Sequence, residues 1–558
     1  MKTIPLFALT TLSAALLAGC ATTGGSTNPV PLKVIAFNDF HGNLKQPTGM
    51  VKVHDPADEA KIITVPGGGI ELMSAKVKEL RAKTPHSVVV SAGDLINASP
   101  LLSALFHDEP TIEAMNLLGL DINAVGNHEF DDGHKELTRM QVGGCHPTDP
   151  NSCKGQTGKF EGAKFRFLAA NVVDKSTGNT LFPAYEVKTY DGIPVAFIGM
   201  TLKGTPGIVA PKGVEGLEFL DEAETVNKLI PELKAKGIEA IIVVVHEGGF
   251  QTGVLNDCKG ISGAIVDIVN KLDKSVDFVI SGHTHQPYNC AINGIPVTSA
   301  FQYGQMLTDI DLELDPVSRD IIKKKATNLV VDPKGAKDAV QTALISHYSP
   351  LAAVQENRVI GKVVAGGISR KPNAAGEAPL GDVIADGQLA ATATADTGNA
   401  VIAFMNIGGI RADLVPLENG DVTYGQTFTV QPFGNSLVTM SLTGEQIDQI
   451  LEQQWLNQPQ PRILQVSAGF SYEYDDRKPA GERVEITSIK LNGKPIDPKA
   501  SYRVTANAFL ADGGDGFKAF KQGQNRLGGA QDLDAFEAFL KKSQPLTVGK
   551  QDRIIRVY

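Results

Sequence analysis

Hydrophobic residues in the first half of the chain follow two alternating patterns. Short runs rich in β-branched residues, such as LKVIAFN at 32–38 and SVVVS at 87–91, alternate with longer stretches such as IELMSAKVKELRAK at 70–83. The short runs predict buried strands, and the longer amphipathic stretches predict helices. Further apolar runs of the same kind occur later, in IPVAFIGM, EAIIVVVHE and VDFVISGHTH. We therefore expect a layered α/β domain.

A mostly helical stretch separates this segment from a second one. Residues 336–358 read AKDAVQTALISHYSPLAAVQENR and predict a helical connector. After it, helix and strand patterns resume in GDVIADGQLAATATAD, AVIAFMN and SYRVTANAFL. We therefore expect a first domain at 32–335, the connector at 336–358 and a second α/β domain at 359–558.

The predicted strands of the first domain end in polar residues that packing does not explain. Carboxylates, an amide and imidazoles follow these strands: Asp39, His41, Asp94, Asn127, His128, His246, His283 and His285. Ligands of open α/β sheets bind at the carboxyl ends of the strands, so we expect these side chains to converge on one site. Burying so many polar groups together is costly unless cations coordinate them.

The chemistry of this set predicts a divalent metal site. Mixed nitrogen and oxygen ligands fit zinc, manganese or a similar divalent ion better than calcium. The set has too many members for one tetrahedral ion and suits two ions that share a carboxylate. Taken singly, each histidine is more often a structural residue than a ligand, so the prediction depends on the whole set.

The first twenty residues have the features of an export signal. MKTIPLFALTTLSAALLAGC combines a lysine, an apolar run and small residues, and it is short for a membrane span. The run LAGC resembles the lipobox of bacterial lipoproteins, whose cysteine, here Cys20, becomes lipidated. We therefore predict a lipoprotein signal peptide at 1–20 and a polar tether at 21–31. The alternative is an ordinary cleaved signal with a coincidental cysteine.

Charge and cysteine content narrow the class of partner and the compartment. A formal net charge of −10 gives no basic field for a nucleic-acid backbone, so we expect no nucleic-acid polymer as a partner. Export to an oxidising compartment favours disulfides between the cysteines other than Cys20. We favour Cys145 with Cys153 and Cys258 with Cys290, because each pair staples one local loop. Free buried thiols are the alternative.

The order of these motifs resembles that of the calcineurin-like metallophosphoesterases, specifically the bacterial and animal 5′-nucleotidase family. The motifs are NDFHG, GD, GNHEFD, the later histidine and GHTH. The resemblance covers nearly the whole chain after the tether. It implies a four-layered α/β/β/α metallophosphoesterase domain and a C-terminal substrate-binding α/β domain, joined by the helical connector. It also implies two metal ions, the first held by Asp39, His41 and His285, the second by Asn127, His246 and His283, with Asp94 as the bridge.

The same resemblance gives His128 a role other than metal binding. It would face the phosphoryl group and stabilise the developing charge or the leaving oxygen, while Asp131 orients its ring. Glu129 and Asp132 of the same stretch are left as structural or solvated residues.

The second domain carries residues that suit a nucleotide. In NIGGIR, Arg411 offers a fork for phosphate or carboxylate, and the glycine pair lets a substrate approach the backbone. The resemblance implies that Phe433 and Phe509 sandwich a nucleobase; the alternative is that both belong to the core. It further implies base contacts from Asn406 and Asn435, ribose contacts from Asp515, and a second arginine, for which the nearest residue is Arg370.

We therefore expect a lipid-anchored exported 5′-nucleotidase, in the outer membrane if the cell has one and facing the periplasm or the cell surface. It would hydrolyse nucleoside 5′-phosphates to nucleoside and phosphate with water activated by two divalent ions. Alternatives within enzymes are cleavage of the pyrophosphate of NAD or a UDP-sugar, or of 2′,3′-cyclic nucleotides. A non-catalytic surface lipoprotein that binds a ligand is the alternative of another class, and the paired phenylalanines disfavour sulfur-ester hydrolysis.

Overall fold

The computed structural model describes residues 28–458 and 460–557 of the chain. The predicted signal peptide, Cys20 and residues 21–27 of the predicted tether lie outside the described residues. Among the helices of the described part, none has the length and apolar character that a membrane crossing requires.

Two six-stranded sheets form the centre of the first domain. Its strands in chain order are β1 (Val30–Phe37), β2 (Met50–Asp55), β3 (Asp58–Pro66), β4 (Ser87–Ser91), β5 (Ile122–Ala124), β6 (Arg166–Leu168), β7 (Val172–Asp174), β8 (Tyr185–Tyr190), β9 (Ile193–Thr201), β10 (Leu217–Phe219), β11 (Ala240–His246), β12 (Phe278–Ser281), β13 (Pro287–Ile292), β14 (Ile295–Ala300), β15 (Met306–Leu314) and β16 (Ile321–Val330). Its helices are α1 (Ile70–Arg81), α2 (Leu101–Ala104), α3 (Glu109–Leu118), α4 (His134–Val142), α5 (Glu222–Ala235) and α6 (Ala264–Lys271).

The strand order is β16-β15-β1-β4-β5-β6 in one sheet and β13-β14-β12-β11-β9-β8 in the other. Strands β1, β4, β5 and β6 run parallel, as do β9, β11, β12 and β14. Parallel strands need long crossovers, which the helices supply, and they are buried on both faces. Burial on both faces explains why these strands are continuous apolar runs in the sequence.

Alternate residues of each strand divide between two hydrophobic layers. Val34 and Val90 of the first sheet pack with Phe197 and Val244 of the second in a shared central core. The opposite face of the first sheet packs against α1 and α3, and that of the second sheet against α5 and α6. The resulting α/β/β/α layering confirms the predicted fold class. The hairpin of β2 and β3 is an addition that the sequence analysis does not predict.

Helix α7 (Ala339–Glu356) connects the domains and packs on the first one. Its N-cap Asp338 accepts a hydrogen bond from the Val340 backbone N–H. Leu344 and Tyr348 enter the core beneath α1 and α3. The connector therefore belongs structurally to the first domain, and Arg358, just beyond its end, forms a bidentate ion pair with Glu537 of the second domain.

The second domain is built on a mixed five-stranded sheet. Its elements in chain order are β17 (Val359–Lys362), α8 (Pro379–Thr392), β18 (Ile402–Asn406), β19 (Asp421–Thr423), α9 (Tyr424–Val430), β20 (Ser436–Thr443), α10 (Gly444–Glu452), β21 (Leu464–Val466), β22 (Phe470–Asp475), β23 (Lys490–Leu491), β24 (Lys494–Pro495), β25 (Ser501–Asn507), α11 (Ala508–Ala511), β26 (Gln524–Gln531), α12 (Asp532–Lys542) and β27 (Ile554–Val557).

The main sheet of this domain has the order β21-β18-β25-β20-β26. Phe404 of β18 faces a core that includes Met440 and Tyr472, whereas the next residue, Met405, faces a second core formed with α8 and α12. This alternation is the period of two expected for a strand buried on both faces. The carboxyl end of β18 carries the NIGGIR segment to the boundary with the first domain.

Candidate active site

The predicted metal ligands of the first domain end or follow strands at one edge of its two sheets. Asp39 follows β1, Asp94 follows β4, and His246 is the last residue of β11. Because β1 and β4 are parallel, and β11 and β12 are parallel, their carboxyl ends meet at this edge. The sequence folds into a convergent site for this reason.

Left-handed backbone recurs at the residues that were predicted to bind metal. The φ angles are 51° at Asp39, 44° at His41, 52° at Asp94, 70° at His283 and 51° at His285. Such a conformation costs a non-glycine residue about 1–2 kcal/mol. Backbone hydrogen bonds hold these loops in place: the Asp39 N–H donates to the Gly93 carbonyl at 2.9 Å, and the His41 N–H to the Asp94 carbonyl at 3.0 Å.

Asp39, His41 and His285 form the first group able to hold a cation. The Asp39 Oδ1 atom lies 3.2 Å from His285 Nε2 and 4.0 Å from His41 Nε2. Asp39 Oδ2 accepts hydrogen bonds from Asn38 Nδ2 and the His283 N–H, and His41 Nδ1 contacts the Asn97 carbonyl at 2.9 Å. Asp39 and His41 are thereby each held through one atom, which leaves Asp39 Oδ1 and His41 Nε2 toward the other members of the group.

Asp94, His246 and His283 form the second group. Asp94 Oδ2 lies 3.0 Å from His246 Nε2 and 3.6 Å from His41 Nε2 of the first group. Asn127 Oδ1 lies 3.2 Å from His246 Nε2, and the other ring nitrogen of His246 contacts the Ala92 carbonyl at 2.6 Å. Asp94 thus stands between the two groups.

Two observations show that these residues fit divalent cations. Asp39 Oδ1 and His41 Nε2 are buried without a hydrogen-bond partner in the described residues, which is costly for polar atoms unless something else binds them. Burial lowers the pKa of His41, and burial together with His246 lowers that of His283 to about 3, so both imidazoles are neutral, as metal ligands must be. Although burial opposes it, Asp94 raises the pKa of His246 to about 10.

His128 lies beside these groups and opens onto the cleft. Its Nδ1 atom contacts Asp131 Oδ2 at 2.7 Å, and its backbone N–H donates to Asp94 Oδ1 at 2.9 Å. Although burial opposes protonation, the carboxylates of Asp131 and Asp94 raise the pKa of His128. Its Nε2 is the nitrogen left to meet a substrate. His128 is also close enough to His41 and Asp94 to form a third group of possible ligands.

Glu129 organises two of the loops that carry the site. Its Oε2 accepts the backbone N–H groups of Asp94 at 3.0 Å and Gly126 at 2.8 Å, and its Oε1 accepts that of Leu95 at 2.8 Å. Burial and the Asp94 charge raise the pKa of Glu129 to about 7. The sequence left open whether Glu129 is structural or solvated; these hydrogen bonds show that its role is structural.

A cavity of about 320 Å³ joins the two domains at this edge. Asn127, His128 and His283 line it from the first domain, with the apolar segment 208–210. The predicted substrate residues that line it from the second domain are Asn406, Arg411, Phe433, Asn435, Phe509 and Asp515. Most of the residues predicted from both domains therefore share one cavity.

Phe433 and Phe509 are half-buried and stand outside the hydrophobic cores of the described residues, whereas Phe517, which also lines the cavity, belongs to the core of the second domain. The Phe433 ring stacks on the His128 ring with centroids 5.7 Å apart and planes 18° apart. The Arg411 guanidinium lies 5.9 Å from the centroid of the same Phe433 ring. Phe433 and Arg411 therefore reach His128 from the second domain, Phe433 by ring contact and Arg411 through its charge.

A hydrogen-bonded set surrounds Asp515. Asn406 Nδ2 donates to Asp515 Oδ2 at 3.0 Å, and Asn507 Nδ2 donates to Asn406 Oδ1 at 2.9 Å. Arg462 forms an ion pair with Asp515 Oδ1. The sequence did not single out Asn507 or Arg462, although Asn507 lies two residues before Phe509.

Arg370 is not among the residues that line the cavity, although its charge interacts with that of the lining residue Arg411. Its Nη1 donates to the Ile410 carbonyl at 2.7 Å, beside the NIGGIR segment. The four remaining predicted residues, the cysteines, form the disulfides Cys145–Cys153 and Cys258–Cys290, in the pairing that the sequence analysis favours.

Comparison with known proteins places these observations in a family. The family model of the calcineurin-like phosphoesterases matches residues 32–287, and that of the 5′-nucleotidase C-terminal domain matches residues 359–522. The chain is 35% identical to endonuclease YhcR of Bacillus subtilis over 94% of this chain and 41% of that protein, so it spans less than half of YhcR.

Two further similarities extend over most of both partners. Cell wall protein Lmo0130 of Listeria monocytogenes is 31% identical over 93% of this chain and 68% of its own length. The crystal structure of a 5′-nucleotidase precursor from Thermus thermophilus is similar with a TM-score of 0.75 and 27% identity, covering 94% of this chain and 99% of that one.

Proposed function

This chain belongs to the 5′-nucleotidase family of calcineurin-like phosphoesterases, which are phosphoric ester hydrolases, and from that premise we propose that it hydrolyses nucleoside 5′-phosphates. The observation that carries the proposal is the shared cavity. One wall presents His128 beside the candidate metal residues, and the other presents two phenylalanines and Asp515. A nucleotide has the matching parts: a phosphate, a ribose and a flat base.

Calcineurin-like phosphoesterases use divalent metals, and we propose two ions in this chain. Asp39, His41 and His285 would hold the first, and Asn127, His246 and His283 the second, with Asp94 shared. The neutral imidazoles of His41 and His283 and the buried His41 Nε2 atom, which has no hydrogen-bond partner among the described residues, support this assignment. Such a pair, when bound, activates a water molecule and neutralises phosphoryl charge.

His128 is proposed to assist departure of the nucleoside oxygen. Asp131 holds its Nδ1 at 2.7 Å, which fixes the ring orientation and leaves Nε2 to donate to the substrate. A donor aimed at developing negative charge in a water-poor cleft contributes typically a factor of about 10² to 10³ to kcat. Arg411 supplies a second positive group from the opposite wall, and its fork suits phosphoryl oxygens.

The nucleoside would lie toward the second domain. Phe433 and Phe509 would stack on the base, and Asp515, already oriented by Asn406 and Arg462, keeps lone pairs for the ribose hydroxyls. The Phe433 ring stacks on that of His128 and so brings this end of the second domain against the proposed phosphate site. Because metal residues and base residues belong to different domains, binding requires both domains to meet around the nucleotide.

Export and lipid anchoring are part of the proposal. The sequence LAGC at 17–20 supports both, and a relative is named a cell wall protein. Cys20 would carry the lipid, and the enzyme would face the periplasm or the cell surface. Nucleotides there would lose their phosphate outside the cytoplasm.

Phosphate release and chromatography of the organic products test the proposal, because cleavage of NAD, UDP-glucose or 2′,3′-cyclic AMP by itself frees no inorganic phosphate. The purified protein is stripped with EDTA, reloaded with Mn²⁺ or Zn²⁺, and supplied with AMP, NAD, UDP-glucose or 2′,3′-cyclic AMP. We expect metal-dependent release from AMP, and a loss of kcat of about 100-fold or more in His128→Ala at unchanged metal content. His134→Ala on α4 is the matched control.

Three other results would each contradict part of the proposal. Cleavage of NAD or UDP-glucose with AMP untouched would replace the nucleotidase by a pyrophosphatase. Turnover of only the cyclic nucleotide would replace it by a phosphodiesterase. Absence of turnover in the metal-loaded protein would overturn the enzymatic role of this cavity.

A further inference from the structure

Asn97, in the loop between β4 and α2, contacts both the first metal group and His128. Its backbone carbonyl lies 2.9 Å from His41 Nδ1, and its side-chain Nδ2 donates to the His128 carbonyl at 2.9 Å. Its own N–H donates to Oδ2 of the buried Asp108 at 2.9 Å. One residue therefore joins a candidate metal ligand, the residue proposed to meet the leaving oxygen, and a buried carboxylate.

The contact with His41 fixes which ring nitrogen faces the metal group. A carbonyl oxygen only accepts hydrogen bonds, so His41 Nδ1 is the donor and carries the hydrogen. The lone pair of the ring is then on Nε2, which is buried without a hydrogen-bond partner among the described residues. A metal-binding histidine usually donates its second ring nitrogen in this way. The Asn97 carbonyl thus orients His41 for coordination.

The contact with His128 completes a set of hydrogen bonds around that residue. Asp131 Oδ2 holds the ring at Nδ1, and Asp94 Oδ1 accepts the His128 N–H at 2.9 Å. The His128 carbonyl accepts the Asp131 N–H at 3.0 Å and, as its second donor, the Asn97 amide. The Asn97 amide is therefore the bond that ties the His128 backbone to the loop that also holds His41.

The backbone at Asn97 explains why asparagine suits this position. The φ angles are 62° at Asn97 and 49° at Ala98, so two successive residues are left-handed. Asparagine adopts this conformation more readily than most side chains do. Glycine adopts it freely but has no amide. Asparagine alone of these two keeps the carbonyl against His41 and also supplies the donor to His128.

Building on the proposed nucleotidase function, we propose that Asn97 is a positioning residue of the reaction. It sets the spacing between the first metal group and His128, because it holds one through its carbonyl and the other through its amide. That spacing decides how well His128 Nε2 is aimed at the leaving oxygen of a phosphoryl group bound beside the metal residues. Asn97 is not among the residues that line the cavity, so it acts through His128.

Asn97→Gly separates the two contacts. Glycine keeps the left-handed backbone and hence the carbonyl bond to His41, but it removes the amide that holds His128. A misplacement of about 1 Å at a reacting group costs on the order of 100-fold in rate. The bonds from Asp94 and Asp131 remain, so we expect a smaller loss: kcat for AMP falls about tenfold, while KM and Mn²⁺ content stay near the wild type.

A double-mutant cycle tests whether Asn97 acts through His128. Mn²⁺ content, kcat and KM for AMP are measured in the wild type, Asn97→Gly, His128→Ala and the double variant. We expect Asn97→Gly to lower kcat about tenfold in the wild type and to leave it unchanged in His128→Ala, which has no ring to aim. A purely structural contribution would lower kcat by the same factor in both backgrounds.

A second substrate gives an independent readout of the same idea. The leaving group of 4-nitrophenyl phosphate departs without help from a proton donor, whereas the nucleoside oxygen of AMP needs that help. We therefore expect Asn97→Gly to slow 4-nitrophenyl phosphate much less than AMP. This comparison decides the matter when turnover of His128→Ala is too slow to measure.

Asn293→Gly is the matched control. Asn293 is also left-handed, with φ of 51°, and its Nδ2 donates to the Asn270 carbonyl at 3.3 Å. It lies in the turn at the amino end of β14, which is parallel to β12, so this turn is at the sheet edge opposite the site. We expect wild-type kcat, KM and Mn²⁺ content in this variant. Thermal melting in EDTA checks that every variant is folded.

The other outcomes separate the inference from the proposed function. Equal losses of kcat in the two backgrounds, or equal losses for the two substrates, overturn positioning through His128. Loss of Mn²⁺ from Asn97→Gly with unchanged turnover per bound metal overturns it as well. If Asn97→Gly does not fold, Asn97→Asp takes its place in the cycle, because aspartate tolerates the left-handed backbone and sets an acceptor against the His128 carbonyl. Failure of the metal-loaded wild type to hydrolyse AMP strikes the proposed function instead.

Discussion

Replacing Glu129 by glutamine tests the idea that one buried carboxylate joins the loops of the site. Glu129 is 1% exposed, and its two oxygens accept three backbone N–H groups. Glutamine has one carbonyl oxygen. It can keep the pair of bonds to Asp94 and Gly126, and it then sets its own N–H group against the Leu95 N–H.

The loss of stability in Glu129→Gln follows from the number of backbone N–H groups left without an acceptor. One buried backbone N–H left unpaired costs about 1–3 kcal/mol, and the opposed donors add to it, so we expect a loss of about 2–4 kcal/mol in the free energy of unfolding. Glu129→Ala leaves three N–H groups unpaired and is expected to lose more. Both losses are large beside a typical total of about 5–15 kcal/mol.

Urea unfolding in EDTA measures this effect without metal binding, and kcat/KM with metal measures its consequence for the site. Glu218→Gln, on the exposed face of β10, is the matched control. A midpoint for Glu129→Gln equal to that of the control, with an unchanged m value, would refute the reasoning. Activity lost at unchanged stability would place Glu129 in the chemistry rather than in the scaffold.

Three further predictions concern other parts of the molecule. Phe433→Ala should raise KM for nucleotides about tenfold while lowering kcat less, because a stacked base contributes about 1–3 kcal/mol; steady-state kinetics with AMP and GMP decide this. Replacing Cys258 and Cys290 by serine should lower the free energy of unfolding by about 3.7 kcal/mol, the chain-entropy value for their separation of 32 residues, measured against the wild type under oxidising conditions. The hydrogen bonds and charge of Arg358 lower the pKa of Glu537 to about 2. The ion pair of these two residues therefore stabilises the fold fully above pH 4.5, and this stabilisation is lost as the pH falls toward 2. The difference in free energy of unfolding between the wild type and Glu537→Gln should shrink over that pH range.

The layers of the fold and the convergence of the site were predictable because each rests on a local pattern. Asp39, Asp94 and His246 follow apolar runs, and parallel strands bring their ends together whatever the rest of the chain does. The structure brings nine predicted residues of the first domain and six of the second to the cleft edge that they share.

Long-range partners could not be predicted in this way. Glu129 reaches the Leu95 N–H across 34 residues, and nothing in GNHEFDDG shows which backbone it will meet. Asp532 lies almost 100 residues from Asn435 and joins it only because α12 begins where β26 ends against β20. Arg370 was predicted only because it is the arginine nearest to the expected position in the sequence. In the structure its guanidinium donates to the Ile410 carbonyl and does not line the cavity.

Under the proposed metal binding, the left-handed residues of these loops couple metal supply to the lifetime of the protein. With Asp39, His41, Asp94, His283 and His285 each adding about 1–2 kcal/mol of backbone cost, the empty loops weaken the fold that holds them. A cation that binds only the folded chain adds RT ln(1 + [M]/Kd) to its stability, about 2.7 kcal/mol at one hundred times Kd. Chelation in the surroundings would therefore silence this enzyme and also expose it to proteolysis, so that scarcity of metal reduces the amount of protein as well as its activity.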